Sequence, residues 1–295
     1  MHVASDVLII GAGPAGLSAA IHLASNGRSV MLIDSHDRVG GQISYSHWVD
    51  NYPPFSVGFS GAYYSSESRA QLARFGVEVV LDTPVTHLKK HDGIFTVNDR
   101  YLSKTVLVAT GLSPNVHDFP VWSDGACNIV TGPELTPTLH KDDRVVVYGA
   151  GNSAGQAANY YVSQGAQVIV MSRRPASESM DLYLINQLRD RGVTFIVQQI
   201  RQVSKDGFLL GDRWSGYPSR LHVFTGYIPA CNFLGYYVTL DEDGYILVDH
   251  DHMTVTDGLF ASGDCVHGST HKLSCAVGDA TICVESIDIY LDERV

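Results

Sequence analysis

An α/β chain with two parallel-sheet domains is what this sequence predicts, and three observations predict it. An apolar strand that runs into a glycine-rich turn and then a helix occurs twice, over residues 6–26 and 144–164. Each helix ends at a glycine and is followed by a second apolar strand. The 295 residues, 45% apolar and 17% charged, are about two domains' length at ~150 residues each and carry enough apolar surface for two cores. This composition excludes disordered, collagenous, coiled-coil and disulfide-scaffold chains.

The first unit begins with the apolar run at residues 6–10, short and bounded by glycine as a buried parallel strand should be. The turn is Gly11-Ala-Gly13-Pro14-Ala15-Gly16, a G-x-G-x-x-G pattern, and a helix is predicted over residues 17–26. Gly27 is the left-handed stop, and residues 29–33 form the next strand, closing on Asp34. Each part has a role in holding a dinucleotide. Gly11 allows the tight turn, Gly13 lets backbone reach a pyrophosphate, and Gly16 lets helix pack on strand. The helix start supplies free N–H groups for phosphate, and Asp34 is placed for a ribose hydroxyl pair.

The second unit repeats the pattern. Its strand is residues 144–148 and its turn is Gly149-Ala-Gly151-Asn152-Ser153-Ala154, followed by a helix over 155–164, Gly165, and a strand over 167–171. That strand closes on Ser172-Arg173-Arg174 rather than on an acid. Guanidinium groups bind a 2′-phosphate that an acid would repel, so this turn favours NADPH over NADH.

Elsewhere the pattern is β-rich. Strands are predicted at 77–81, 93–97, 105–109, 221–225, 245–248 and 258–261, and a final helix at 276–291. Ala109-Thr110-Gly111 closes one strand, and Gly263-Asp264 comes directly after another. The domains are expected at 1–115 with 226–295, interrupted by 116–225, with hinges near 109–115 and 225–230.

Twenty basic against 31 acidic residues give a net charge of −11, spread along the chain. That argues against nucleic-acid and anionic-membrane partners. No apolar run approaches the ~20 residues of a membrane span, and no signal peptide is visible before residue 6. Five cysteines, odd in number and with no C-x-x-C pair, fit a reducing compartment. The expectation is a cytoplasmic protein.

With these pieces in order, the chain resembles the low-molecular-weight thioredoxin reductase family of two-dinucleotide-domain flavoproteins over nearly its full length. The matching residues are the two glycine turns, Asp34, Gly40-Gly41-Gln42, the segment 49–53, Ala109-Thr110-Gly111, Ser172-Arg173-Arg174, residues 258–264 and Ala276-Val-Gly278. The resemblance implies FAD at the first turn, NADPH at the second, and a homodimer. It implies that Gly40, Gly41, Gln42 and Asn51 lie along the FAD. Asp264 would bind the ribityl or phosphate part, and His271, Lys272 and Leu273 would lie where the chain passes the flavin ring. The chain departs from that family at its dithiol. The family carries C-x-x-C shortly before the second glycine turn, and the equivalent stretch here, residues 132–135, reads Gly-Pro-Glu-Leu, with Cys127 alone upstream. A local dithiol relay cannot form.

The expected reaction is therefore hydride transfer from NADPH to FAD and then direct delivery of electrons to an acceptor. The acceptor could be a small molecule such as a quinone, or a small redox protein. Two alternatives remain open: a ferredoxin or flavodoxin–NADP reductase of the thioredoxin-reductase type, and a slow redox-sensing module holding both cofactors. The former usually has a longer C-terminal extension than this chain shows after its last helix. Cys265, Cys275 and His271 are the catalytic candidates, with the two cysteines read either as a displaced redox pair or as packing residues. Cys265, His267, His271 and Cys275 also spell a set of possible zinc ligands, but no familiar spacing supports it, and no metal is expected.

Overall fold

The computed structural model describes residues 5–115, 128–132, 143–204, 207–210, 213–215 and 220–293. Cys127 and residues 133–135 lie outside them. From the N-terminus the elements are β1 (Ser5–Ile10), α1 (Pro14–Ser25), β2 (Val30–Ile33), α2 (Gly61–Arg74) and β3 (Glu78–Val80). A meander of β4 (Leu88–His91), β5 (Ile94–Val97) and β6 (Tyr101–Val108) leads to β7 (Leu112–Pro114) and β8 (Asn128–Thr131). Next come β9 (Arg144–Tyr148), α3 (Asn152–Ser163), β10 (Gln167–Ser172), α4 (Leu182–Asp190) and β11 (Thr194–Val197). A second meander comprises β12 (Ile200–Ser204), β13 (Gly207–Leu210) and β14 (Arg213–Ser215). The remaining elements are β15 (Arg220–Val223), β16 (Tyr227–Pro229), β17 (Leu259–Ala261) and α5 (Leu273–Asp292).

The chain divides into two compact units: residues 1–44, 49–112 and 228–295, and residues 45–48 with 113–227. The first has a seven-stranded sheet in the order β3-β2-β1-β6-β5-β4, with β17 also on β6. Paired with β1 along one edge, long β6 serves two partners along the other. Residues 101–103 pair antiparallel with β5, and residues 106–108 pair parallel with β17. Alternation along β1 sends Val7 and Ile9 to a core shared with α1 and α5, and Leu8 and Ile10 to a core on the other face. Helix α5 is fastened to the end of α1 by Arg28, which bonds Asp288 and Asp292 at 2.6 Å each.

The second unit has a parallel sheet in the order β11-β10-β9-β15-β8, with the β12–β14 meander beside it in sequence. Its core lies on both faces of β9, with Val145 and Val147 toward α3 and α4 and Val146 and Tyr148 toward Ile200 and Val203.

The two dinucleotide-type helices stop the same way. Arg28 N–H bonds Leu23 O and Gly27 N–H bonds Ala24 O; Ala166 N–H bonds Tyr161 O and Gly165 N–H bonds Val162 O. These are paired 6→1 and 5→2 bonds around a glycine of positive φ, as the sequence predicts.

Three expectations need correction. The predicted strand at 245–248 is no strand: Ile246 makes single bridges to Leu240 and Val266. Asp241 Oδ1 accepts the N–H groups of Asp243 and Tyr245 and turns the chain before pairing can extend. The helices after the glycine turns start earlier than predicted, at Pro14 and Asn152, because the turn residues are themselves the first helical turn and proline is tolerated there. The last helix starts at Leu273 rather than at 276, directly after extended Lys272. Helices α2 and α4 stand where the sequence pattern predicts no element.

Candidate dinucleotide sites

The first turn is built by close backbone approaches. Gly11 has φ +110°, and a Cβ there would sit 2.2 Å from the carbonyl oxygen of Ala109. A Cβ on Gly16 would sit 1.9 Å from the Gly11 oxygen. Only glycine allows β6, the turn and α1 to meet this closely. Two further motifs pack on the same turn: a Cβ on Gly41 would meet the Gly13 Cα at 2.8 Å, and one on Gly263 would meet the Ala15 Cβ at 2.8 Å. Gly40 N–H bonds Ala12 O at 2.8 Å, and the Gln42 amide donates to Leu112 O at 3.0 Å. The structure thus gathers Gly11, Gly13, Pro14, Ala15, Gly16, Gly40, Gly41, Gln42, Ala109, Thr110, Gly111, Gly263 and Asp264 in the first unit. Asn51 stands on an exposed loop of the same unit.

Asp34 caps the end of β2. Its Oδ2 accepts the Ala12 N–H at 2.6 Å, and its Oδ1 accepts the backbone and ring nitrogens of His36, each at 2.8 Å. Burial pushes its carboxyl up, but these donors outweigh burial and hold it below the ordinary carboxylate range. Asp264 is opposite in character: burial raises it, against the opposing pull of His271 and the Ser269 hydroxyl. His271 has a left-handed backbone, φ 54°, and its ring stacks on Tyr245 at 5.9 Å. His271 and Lys272 are exposed, next to the start of α5 at Leu273.

The second turn has Gly149 at φ +153° against the Phe224 carbonyl, where a Cβ would come within 2.7 Å. At Gly151 a Cβ would meet nothing within 4 Å. Asn152 and Ser153 open α3, and Ala154 is buried beneath it. Ser172 is buried and donates to the Arg174 carbonyl at 2.6 Å, fixing the start of the Arg173-Arg174 pair; both arginines are exposed.

Of the two sequence readings of Cys265 and Cys275, a displaced redox pair or packing residues, the structure gives no pairing of these two thiols among the described residues. Cys265 is fully buried, with Sγ toward the carbonyls of Val108 and Ser262. It shares the core with Cys231, whose Sγ lies 3.9 Å from the Thr110 hydroxyl. The neighbouring Cys265 and burial both push the Cys231 thiol up, so it stays protonated. Cys275 is on α5, whose buried residues belong to the opposite face of the sheet, and its thiol is directed at the Asp279 carboxylate at 3.7 Å. The possible zinc set does not converge either. His267 pairs with Asp241 at 2.6 Å, and the gathered ligand-type trio among the described residues is the exposed Asp249, His250 and Asp251.

Sequence reasoning missed His222. It is fully buried on β15, donates from Nε2 to the Gly132 carbonyl at 2.7 Å, and accepts from the Tyr161 hydroxyl at Nδ1, 2.8 Å. A carbonyl can only accept, so this tautomer is fixed. Burial lowers its pKa to about 4.

The sequence pattern of the pyridine nucleotide-disulphide oxidoreductases matches residues 5–280. The chain belongs to that family. Within the family it is 27% identical to a thioredoxin reductase of Peptoclostridium litorale, over 98% of this chain and 97% of the relative. Among solved structures it is similar to the thioredoxin reductase of T. acidophilum, with 26% identity, a TM-score of 0.84 and 99% coverage of both chains. Its fold is also that of the bacillithiol disulfide reductase from Bacillus cereus, with a TM-score of 0.79 at 21% identity and coverage of 99% and 100%. The chain is thus a flavoprotein oxidoreductase of the thioredoxin-reductase type, and the cofactors of that type are FAD and NADPH. The residues present fit dinucleotides. Helices α1 and α3 both start from a glycine with no side-chain cap, and the space a Cβ would fill at Gly13 and Gly151 is open to within 3.9 Å or more. Uncapped N–H groups beside open backbone are what a pyrophosphate requires.

Proposed function

We propose that this chain is an NADPH-dependent flavoprotein oxidoreductase that delivers electrons directly to its acceptor, with no dithiol of its own in the route. FAD, when bound, would supply the two-electron chemistry that links oxidation of NADPH to reduction of the acceptor. In this reading the first turn holds FAD, with Asp34 on its ribose and Asp264 on the ribityl or phosphate part. The second turn holds NADPH, with Arg173 and Arg174 on the 2′-phosphate. The chain's own task is positioning. The observation that carries the direct route is the state of the thiols. No C-x-x-C exists anywhere in the sequence; among the described residues Cys231, Cys265 and Cys283 are buried, and the Cys275 thiol faces a carboxylate. A buried thiol cannot exchange with an external disulfide.

Further parts of the reading rest on composition and on the resemblance. Net charge −11 and free cysteines support a cytoplasmic enzyme without nucleic-acid or anionic-membrane partners; the homodimer and the small-molecule or small-redox-protein acceptor follow in this reading from the family resemblance and the missing dithiol. Among the described residues no helix is long and apolar enough to cross a membrane.

The test is anaerobic mixing with NADPH, then addition of a panel of acceptors: a quinone, ferredoxin, flavodoxin, thioredoxin and a low-molecular-weight disulfide. The variant Cys231→Ser, Cys265→Ser, Cys275→Ser should bind FAD, bleach with NADPH and reduce the same acceptor as the parent. If it bleaches normally but loses a disulfide substrate that the parent reduces, the cysteines are a relocated relay and the direct route is wrong.

A further inference from the structure

The second glycine turn is held by a segment that no nucleotide-binding pattern calls for. After β10 the chain returns across the start of α3 and makes three attachments there. Ser179 Oγ donates to the Ala150 carbonyl at 3.0 Å. Met180 is buried against α3 at Gly155, where a Cβ would come within 3.0 Å of its sulfur. Asp181 and Asn152 then close a two-bond ring: the Asn152 amide donates to Asp181 Oδ2 at 3.0 Å, and the Asp181 N–H donates to Asn152 Oδ1 at 2.8 Å.

Two features of this ring point to the ligand rather than to local stability. Asp181 is the N-cap of α4 and is of the residue type that caps best, yet its side chain bonds no N–H of α4. A side-chain cap is worth about 0.5–2 kcal/mol, and Asp181 gives its carboxylate to Asn152 instead. Asn152, in turn, sits at the first position of α3 and could otherwise swing onto the open turn. With both ends of its amide committed to Asp181, the first-turn N–H groups of α3 stay uncapped. The attachments flank Gly151 on both sides, at Ala150 and Asn152, and leave Gly151 itself open.

We propose that residues 179–181 form a clasp that sets the shape of the second turn, and that Asp181 is a positioning residue for the nicotinamide dinucleotide. This rests on the assignment of NADPH to the second turn made above. The carboxylate acts through Asn152: it holds the turn in the conformation whose N–H groups meet the pyrophosphate, and it keeps the amide from competing for them.

The experiment is stopped-flow flavin reduction of the FAD-loaded protein over a range of NADPH concentrations, for the parent, Asp181→Ala, Asp181→Asn and Ser179→Ala. Asp181→Ala should weaken the apparent NADPH Kd about 10-fold, with the limiting reduction rate within about twofold of the parent, as loss of a half-buried, charge-assisted hydrogen-bonded pair implies. Asp181→Asn keeps an acceptor for the Asn152 amide and should stay within about threefold of the parent, while Ser179→Ala should weaken Kd about threefold. FAD content should be equal in all four. A merely structural clasp would lower the melting temperature or the FAD-loaded fraction and leave Kd unchanged, and that result overturns the proposal. So does an Asp181→Asn variant as weak as Asp181→Ala. If Asp181→Ala does not fold, Ser179→Ala decides, and a parental Kd there is fatal. A parent that NADPH does not bleach defeats the underlying assignment instead, which keeps the two failures apart.

Discussion

The two glycine turns share a pattern and a helix stop but are held by different means. The first is wedged. Backbone from β6, from Gly41 and from Gly263 approaches it so closely that side chains are excluded at four positions. The second touches neighbouring backbone closely at Gly149 and is otherwise tied down by side-chain hydrogen bonds from residues 179–181. A wedge of backbone is rigid and intolerant, whereas a clasp of side chains can open. That contrast suits a cofactor that stays bound through turnover and one that must leave each cycle.

Substitution at the wedge should give the largest effect. Gly11→Ala forces a Cβ onto the Ala109 carbonyl at positive φ and should cost at least ~3 kcal/mol, leaving protein that purifies without FAD. Visible absorbance of the purified variant reads this directly, and a yellow, stable protein would contradict the wedge.

Acid should separate the units next. His222 has a folded pKa of about 4, below its unfolded value of 6.5, so the folded second unit binds fewer protons between these limits. Its contribution is complete above pH 6.5 and is lost as pH falls toward 4, about 3 kcal/mol in all. The first unit behaves differently. The depressed Asp34 loses stability only as pH falls below 3.8, and the raised Asp264 is relieved by protonation. Hydrogen exchange monitored from about pH 7 to about pH 4.5 should show α3 and β15 loosening before β1 and α1. In a His222→Phe variant the pH dependence should flatten.

Cofactor choice comes third. The double variant Arg173→Ala, Arg174→Ala should raise the KM for NADPH by about 10- to 100-fold and hardly change that for NADH, since only the former has the 2′-phosphate. An equal effect on both cofactors would mean that the arginines do not read it. The smallest effect on stability is expected at the open position of the second turn. Gly151→Ala meets no atom within 4 Å and should stay within about 0.5 kcal/mol of the parent by thermal melts while weakening NADPH binding.

Much of this arrangement is legible in the sequence, because glycine spacing and strand apolarity are local signals. Both turns, their helices and their glycine stops are contained in runs of fewer than about 30 residues. What stays hidden depends on distant pairing. Cys231 and Cys265 belong together only because the chain returns to β6 through β17, and His222 finds Tyr161 and Gly132 from across a sheet. Helix α2 is illegible because it buries only Gly61, Ser68 and Leu72, a pattern without an apolar stripe. Helix α4 does carry a signal, Asp181 ahead of Leu184, Ile185 and Leu188, and a search for capping residues would find both it and the clasp.

The double service of β6 has a consequence for how the protein is made. Its C-terminal half waits for β17, and α1 waits for α5, until the whole second unit has been synthesised. At ~5–20 residues per second the intervening stretch takes roughly 10–30 s to translate. During that time the nascent first unit presents a bare parallel edge at residues 106–108 and an uncovered apolar helix. An unpaired edge of this kind is a template for wrong pairing. The birth of this enzyme, more than its finished state, is where chaperones have something to hold.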